Sequence, residues 1–258
     1  MSNQSSLSKR RRGIFLLPNL FTTAALFAGF YSIVAAMGGR FETAAMAIVV
    51  AIILDGVDGR IARITNTESA FGAAYDSLSD MVAFGLAPAL LAYEWSLVSL
   101  GKLGWLVAFV FTASAALRLA RFTVQVDVAD KRYFQGLPSP SGAALLSVLV
   151  WLGVDYGVSG EDAAMFVSLG TILTGILMVS NIRYHSLKGF DPKGKVPFIS
   201  ALAIVLVFVM ISIDPPLVLF GGFLIYAISG PVLTLFHVRK RREARKGVAD
   251  ILPKKPWE

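Results

Sequence analysis

The chain has 258 residues, 55% of them hydrophobic and only 16% charged, with a mean hydropathy of +0.67 and a net charge of +7. This composition excludes an ordinary soluble protein and marks an integral membrane protein. The lack of cysteine excludes disulfides and thiolate metal sites. The basic residues fall in short groups between apolar runs, which points to orientation in a membrane and away from nucleic acid.

Residues 1–13 are polar and end in Lys9-Arg10-Arg11-Arg12, a juxtamembrane cluster that favours the cytoplasmic side and anionic lipid headgroups. Ile14 to Gly39 then runs without a charge, longer than the apolar region of a secretory signal, and reads as a retained span. The apolar stretches are 14–37, 42–64, 73–94, 102–121, 137–154, 162–182, 196–213 and 215–237. Each approaches the ~20 helical residues that a hydrocarbon core needs. The expected fold is an all-α, polytopic membrane helix bundle of about eight transmembrane helices. Residues 14–237 form its membrane domain, followed by a basic cytoplasmic tail, 238–258.

An even number of spans puts both termini on one side, and 22 of the 24 lysines and arginines then share that side, with only Arg40 and Lys102 opposite. This bias places the termini in the cytoplasm. A six-span arrangement keeps the same parity. Trp95 and Trp105 mark the opposite interface.

The stretch LDGVDGRIARITNTESAFGAAYDSLSD sets four aspartates, Asp55, Asp58, Asp76 and Asp80, at the cytoplasmic ends of the second and third spans. Spacings of three and four put each pair on one face of a helix. Each intramembrane charge costs about 2.5–3.5 kcal/mol unless neutralised. Arg60 and Arg63 can pair with two of them. Divalent cations serve four carboxylates better, because hard oxygen ligands suit Mg²⁺ or Mn²⁺, with Ca²⁺ also possible.

Written as D-x2-D-G-x2-A-R-x8-G-x3-D-x3-D, the stretch resembles the signature of the CDP-alcohol phosphotransferase family of membrane enzymes. The resemblance implies that family's fold and an enzyme that moves a phosphatidyl or similar group from a CDP-linked donor to an alcohol, releasing CMP. It implies two divalent ions at Asp55, Asp58, Asp76 and Asp80, with Asp80 as the candidate base for the incoming hydroxyl. Asp58, Gly59, Ala62, Arg63 and Gly72 are the expected CDP- and phosphate-binding positions, the small residues leaving room for a nucleotide and the arginine offering its fork of donors.

Further elements narrow the acceptor. Arg118-Leu-Ala-Arg121-Phe122, the run from Tyr133 to Gly142, and Pro18-Asn19-Leu20 with Thr22 and Thr23 resemble elements of the bacterial membrane-integral phosphatidylserine synthases within the family. Thr123 stands where many of them carry asparagine. That likeness implies CDP-diacylglycerol and L-serine as substrates, a homodimer, and a bacterial inner membrane with the active site facing the cytoplasm. Arg118 and Arg121 are candidates for the serine carboxylate, which an arginine grips bidentately, and Gln135 is a third acceptor-side candidate. Both arginines equally suit topology anchors. Gly136, Pro138 and Pro140 are expected to shape the start of a helix, and Asn181, Arg183 and Lys188 form a second cytoplasmic polar group, suited to lipid phosphate or to topology anchoring. The alternatives are transfer to choline, glycerol phosphate or inositol phosphate, and, from a different class, a divalent-cation transporter. The last fits poorly, since the acids cluster at one face instead of the midplane.

Overall fold

The computed structural model describes residues 3–65, 69–125, 133–185 and 198–251. Among these residues, helical rods follow all eight apolar stretches. They begin with α1 (Asn3–Met37) and α2 (Phe41–Thr65). The third rod is composite: α3 (Ala70–Asp80) passes through a π-helical stretch, Met81–Leu86, into α4 (Ala87–Trp95). A 3-10 turn, Leu97–Leu100, leads to α5 (Lys102–Gln125). The remaining helices are α6 (Ser139–Asp155), α7 (Gly160–Val179), α8 (Phe198–Ile213) and α9 (Pro215–Ile251). Pro18–Met37, Lys102–Val124, Gly160–Val179 and Pro215–Leu235 are each long and apolar enough to cross a membrane by length and composition, and Ser139–Asp155 is a shorter apolar helix.

The ends of the rods differ from the apolar runs for local reasons. Helix α1 starts at Asn3 and α9 continues to Ile251, so the basic segments expected to flank the bundle extend its helices. The Arg-, Lys-, Glu- and Ala-rich run after residue 238 consists of strong helix formers. Helix α7 stops at Val179, short of 182, because Ser180 turns extended at ψ 160°. The chain then enters a strand. β1 (Tyr133–Gln135) and β2 (Arg183–His185) pair antiparallel, with Phe134 opposite Tyr184 and Gln135 opposite Arg183. Both strands are three residues long, and pairing satisfies backbone groups that the turns leave open.

Small side chains let the rods approach. Helix α1 packs most extensively on α2 through Ala28, Ala35, Ala44, Ala45 and Ala51, all buried. Gly29 meets the π-helical stretch, where a Cβ would lie 2.6 Å from the Ala83 Cα. Lipid tails are as apolar as leucine, so close packing replaces water exclusion as the force between such helices. Larger apolar residues, including Phe30, Phe109, Phe166, Phe208 and Ile225, are exposed around the bundle, as suits a lipid-facing surface.

Gly136 shows why the Gly-Leu-Pro run opens α6. Its φ is +77°, and a side chain there would strike the Met178 carbonyl oxygen. Its N–H donates to the Ile182 carbonyl at 2.8 Å, and the next N–H, of Leu137, donates to Leu177 at 2.9 Å. Pro138 then occupies the N-cap and Pro140 the first turn of α6, where a missing N–H costs nothing. The expectation that these residues shape the start of a helix matches this geometry.

Candidate active site

Helix α2 carries Asp55 and Asp58 near its C-terminal end, and α3 carries Asp76 and Asp80 in its last two turns. Their approach is set by α1. The Thr22 hydroxyl lies 2.8 Å from Asp58 Oδ2 and 3.1 Å from the Pro18 carbonyl, two acceptors for one hydrogen. Ser79 Oγ donates to the Thr22 carbonyl at 3.1 Å, and Thr23 Oγ1 bonds the Tyr75 hydroxyl at 2.9 Å. Ser69 caps α3 by accepting from the Gly72 N–H at 3.0 Å. Hydroxyls of one helix thus fix two others.

The four carboxylates do not form one symmetric box. Oxygens of Asp55, Asp76 and Asp80 lie within 4.8 Å of one another, whereas Asp58 is almost fully buried against Thr22. Like charges at ~5 Å repel by about 3 kcal/mol per pair at an effective dielectric near 20. Three hard oxygen donors this close suit a divalent cation, which removes that repulsion. The residues present therefore fit the metal that the sequence pattern implies.

Arg118 enters from α5. It is buried, and one terminal nitrogen donates to Ser139 Oγ at 2.6 Å, while its Nε has no hydrogen-bond partner among the described residues. Asp80, Asp55 and the Tyr226 hydroxyl of α9 all lie within electrostatic range of its guanidinium. Asp80 in turn feels Asp55, Asp76, Asp58 and Arg118, which makes it the link between carboxylates and cation. A buried donor without a partner costs about 1–3 kcal/mol, a cost that an anionic ligand would remove.

The other expected residues divide. Arg121 donates to the Val179 carbonyl at 3.0 Å and to Asn181 Oδ1 at 3.2 Å, so it ties down the C-terminal end of α7. Gln135 sits exposed on the strand ribbon, paired in register with Arg183. Arg63 is exposed, and its Nε turns back to the Gly59 carbonyl at 2.7 Å. Among the described residues, a Cβ on Gly59 would meet only the Arg63 tip at 3.9 Å, and one on Gly56 would meet nothing within 4 Å, so none of them closes this face of α2 to a ligand. Gly72 is tighter: a Cβ there would lie 3.1 Å from Ser69 Oγ and 3.5 Å from Asn19 Oδ1. Ala62 lies on α2, but its side chain, like those of His185 and His237 and all of Lys188, falls outside what is described.

Two residues beside Arg118 had no role in the sequence reading. Ser139 stands between two prolines whose helix-starting signal concealed it. Tyr226 belongs to α9, 108 positions from Arg118, and carries no local signal. Tyr184 braces it: the rings are 5.6 Å apart, and the Tyr184 hydroxyl donates to the Ala227 carbonyl at 2.9 Å. Burial pushes the Tyr184 phenol up to about 12.

The sequence profile described as CDP-alcohol phosphatidyltransferase matches residues 15–180, which run from α1 to the end of α7. A Helicobacter pylori protein named CDP-diacylglycerol–serine O-phosphatidyltransferase is 40% identical over 216 residues, covering 83% of this chain and 90% of that protein. A Mycobacterium tuberculosis protein of the same name is 37% identical over 179 residues, 67% of this chain and 62% of that one. The archaetidylserine synthase of Methanothermobacter thermautotrophicus is 31% identical over 183 residues, 70% of this chain and 74% of its own. With the profile spanning more than half of its length, and the carboxylates of that family's signature gathered at one end of two helices, this chain belongs to the CDP-alcohol phosphatidyltransferase family.

Proposed function

We propose that this protein is a CDP-diacylglycerol:serine O-phosphatidyltransferase, moving the phosphatidyl group of CDP-diacylglycerol to the hydroxyl of L-serine and releasing CMP. The observation that carries the acceptor is the buried Arg118, whose Nε has no partner among the described residues, within range of Asp80. Serine brings a carboxylate that needs such a partner and a hydroxyl that needs a base. The names of the relatives support the same choice: the lipid part varies between phosphatidyl and archaetidyl, while serine is common to both.

In this reading Asp55, Asp76 and Asp80 hold the metal, with Asp58 completing the set from its place beside Thr22. Two divalent ions, Mg²⁺ or Mn²⁺, supply charge neutralisation for the diphosphate and the departing CMP when bound. Gly56 and Gly59 leave the α2 backbone open to the nucleotide, and Arg63 reaches phosphate from the rim. Ala62, on α2, and Gly72, in the first turn of α3, are the further small residues assigned to the nucleotide. Arg118 grips the serine carboxylate and orients the hydroxyl toward Asp80. Asp80 takes the hydroxyl proton as the serine oxygen bonds to the phosphatidyl phosphorus and the bond to CMP breaks. Arg121 serves by holding the end of α7, and Gln135 flanks the approach.

The same proposal puts the carboxylate end at the cytoplasmic face of a bacterial inner membrane, on the strength of the 22 basic residues that share that side. It includes a homodimer, checked by cross-linking in membranes. The deciding experiment measures CMP release from CDP-diacylglycerol against serine, choline, glycerol phosphate and inositol phosphate, with and without Mg²⁺ or Mn²⁺. Serine-dependent, metal-dependent release is expected. Release with choline and none with serine overturns the proposal.

A further inference from the structure

Helix α9 lies beyond residue 180, where the family profile ends, yet it places a side chain beside Arg118. From Leu217 to Ile228 its residues are apolar or glycine with one exception, Tyr226, which is partly buried. A phenol in such a span needs a polar neighbour. Tyr226 has one in the Arg118 guanidinium of α5, within electrostatic range. Helix α6 bridges the two: α9 packs extensively on it, and Arg118 donates to the Oγ of its first residue, Ser139.

Three features outside the profile fix where Tyr226 stands. Pro231, inside α9, has no N–H to give to the carbonyl of Ala227, four residues earlier. The Tyr184 hydroxyl supplies that missing donor at 2.9 Å. Gly230 makes the room, since a Cβ there would strike the Tyr184 ring, which is fully buried. The ring then lies 5.6 Å from that of Tyr226, tilted by 44°. Tyr184 is held in its turn by β2, where it sits opposite Phe134 of β1. Proline, glycine and strand ribbon converge on one outcome, a phenol held next to a buried guanidinium.

We propose that Tyr226 is an acceptor-specificity residue, its hydroxyl donating to the same serine carboxylate that Arg118 grips. The inference rests on the acceptor assigned under Proposed function. Arg118 commits one terminal nitrogen to Ser139, and its Nε has no partner among the described residues. A carboxylate accepts at both oxygens, with more lone pairs than one edge of an arginine uses. A phenol hydroxyl beside the guanidinium offers a further donor. The pair favours an alcohol that bears a carboxylate over choline, which gives neither donor an anion. The carboxylates that serve the CDP-linked donor lie within 15–180, and the choice of alcohol is completed from α9, outside it.

The test compares the full-length parent with Tyr226→Phe, which keeps the ring and removes the hydroxyl. Serine KM is expected to rise about tenfold or more, the loss of one hydrogen bond to a charged group. The values of kcat and of KM for CDP-diacylglycerol should stay within about twofold, and Tm should hold, a split that a structural role would not give. In the Arg118→Ala background the same change should add no more than about twofold, because the two residues share one carboxylate. Tyr156→Phe, which removes the exposed phenol bonded to Asp214, should leave serine KM unchanged. Tyr184→Phe deprives the Ala227 carbonyl of its donor and should lower Tm while raising serine KM. An unchanged serine KM in Tyr226→Phe, equal rises in serine and donor KM, or an effect that simply adds to that of Arg118→Ala overturns the role of Tyr226 and leaves the assigned reaction intact. A lower Tm with an unchanged serine KM in Tyr184→Phe overturns the placement on which that role depends. Absence of serine-dependent CMP release from the parent removes the reaction and the role of Tyr226 together.

Discussion

Two pairs of helix glycines serve opposite purposes. At the carboxylate end, Gly56 and Gly59 face open space on α2. At the other end, Gly104 and Gly160 have no room at all: a Cβ on Gly104 would strike the Leu97 carbonyl oxygen, and one on Gly160 the Trp95 carbonyl oxygen. Gly153 is pinned there too, against the Trp95 ring, and Ser96 Oγ donates to the Gly160 carbonyl at 2.6 Å. One pair joins helices, and the other leaves a face of α2 uncovered by the described residues. Substitutions at the two pairs should separate effects on stability from effects on donor binding.

The largest effect is expected from Asp80→Asn. Loss of a general base costs about 10²–10⁴ in kcat, while thermal stability should hold and CDP-diacylglycerol binding should be largely spared, with Asp55, Asp58 and Asp76 still present to hold metal; undiminished turnover would reject Asp80 as the base. Arg118→Ala should raise the serine KM by on the order of a hundredfold, because a charged hydrogen-bonded pair is lost from a buried site. Arg121→Ala should lower thermal stability more than it changes serine KM. The reverse pattern in steady-state kinetics would exchange the two arginines' roles.

Gly160→Ala drives a methyl into backbone and should cost about 1–3 kcal/mol or more, read as a fall in Tm in detergent with little change in KM for the protein that folds. Gly59→Ala is the same chemical change at the other end. It should leave Tm unchanged or raised, since alanine is the better helix former by about 0.8–1.0 kcal/mol. Its donor KM should rise roughly tenfold as the open face fills. Equal Tm losses for the two variants would erase the contrast between the pairs.

The smallest effect is expected at Asp214, which caps α9 by accepting from the Leu217 N–H at 3.0 Å and also accepts from the Tyr156 hydroxyl at 2.8 Å. Asp214→Ala should cost about 1 kcal/mol through the lost cap. The Asp214 carboxylate raises the Tyr156 phenol above its usual value. A raised phenol keeps its proton longer in the folded state, so this contribution is present below the unfolded value near 10 and is lost as pH rises through the folded value. Ultraviolet titration of the parent and Asp214→Ala proteins should show the difference.

Much of this was legible in the sequence because the signals were local. Asp55 with Asp58 and Asp76 with Asp80 each lie one turn apart, and helical spacing alone places them on common faces. The uneven grouping of the four was not legible, since the hydroxyl that draws Asp58 aside is Thr22, 36 positions away. The same holds for the arginines. Arg118 and Arg121 are one turn apart and chemically identical, and only the tertiary partners Ser139, Val179 and Asn181 distinguish them. The strand ribbon was hidden for another reason: three residues a side is too short for alternation to register. Hydropathy located the rods but not their ends, which depend on caps such as Ser180 and on helix formers in the basic tail.

The π-helical stretch between α3 and α4 has one more consequence. A π turn accommodates about one residue more than an α turn, and here that surplus lies immediately after Asp80. Upstream of it stand Asp76 and Asp80, and within it Ala83 is clasped by Gly29. Straightening Met81–Leu86 into a regular α-helix with no residue removed would turn one half by about 100° and push it out by about 1.5 Å relative to the other. The carboxylates and the packing below them could not then both keep their bearing. This short interval therefore works as a phase setting between chemistry and scaffold, absorbing one residue so that both halves keep their bearing.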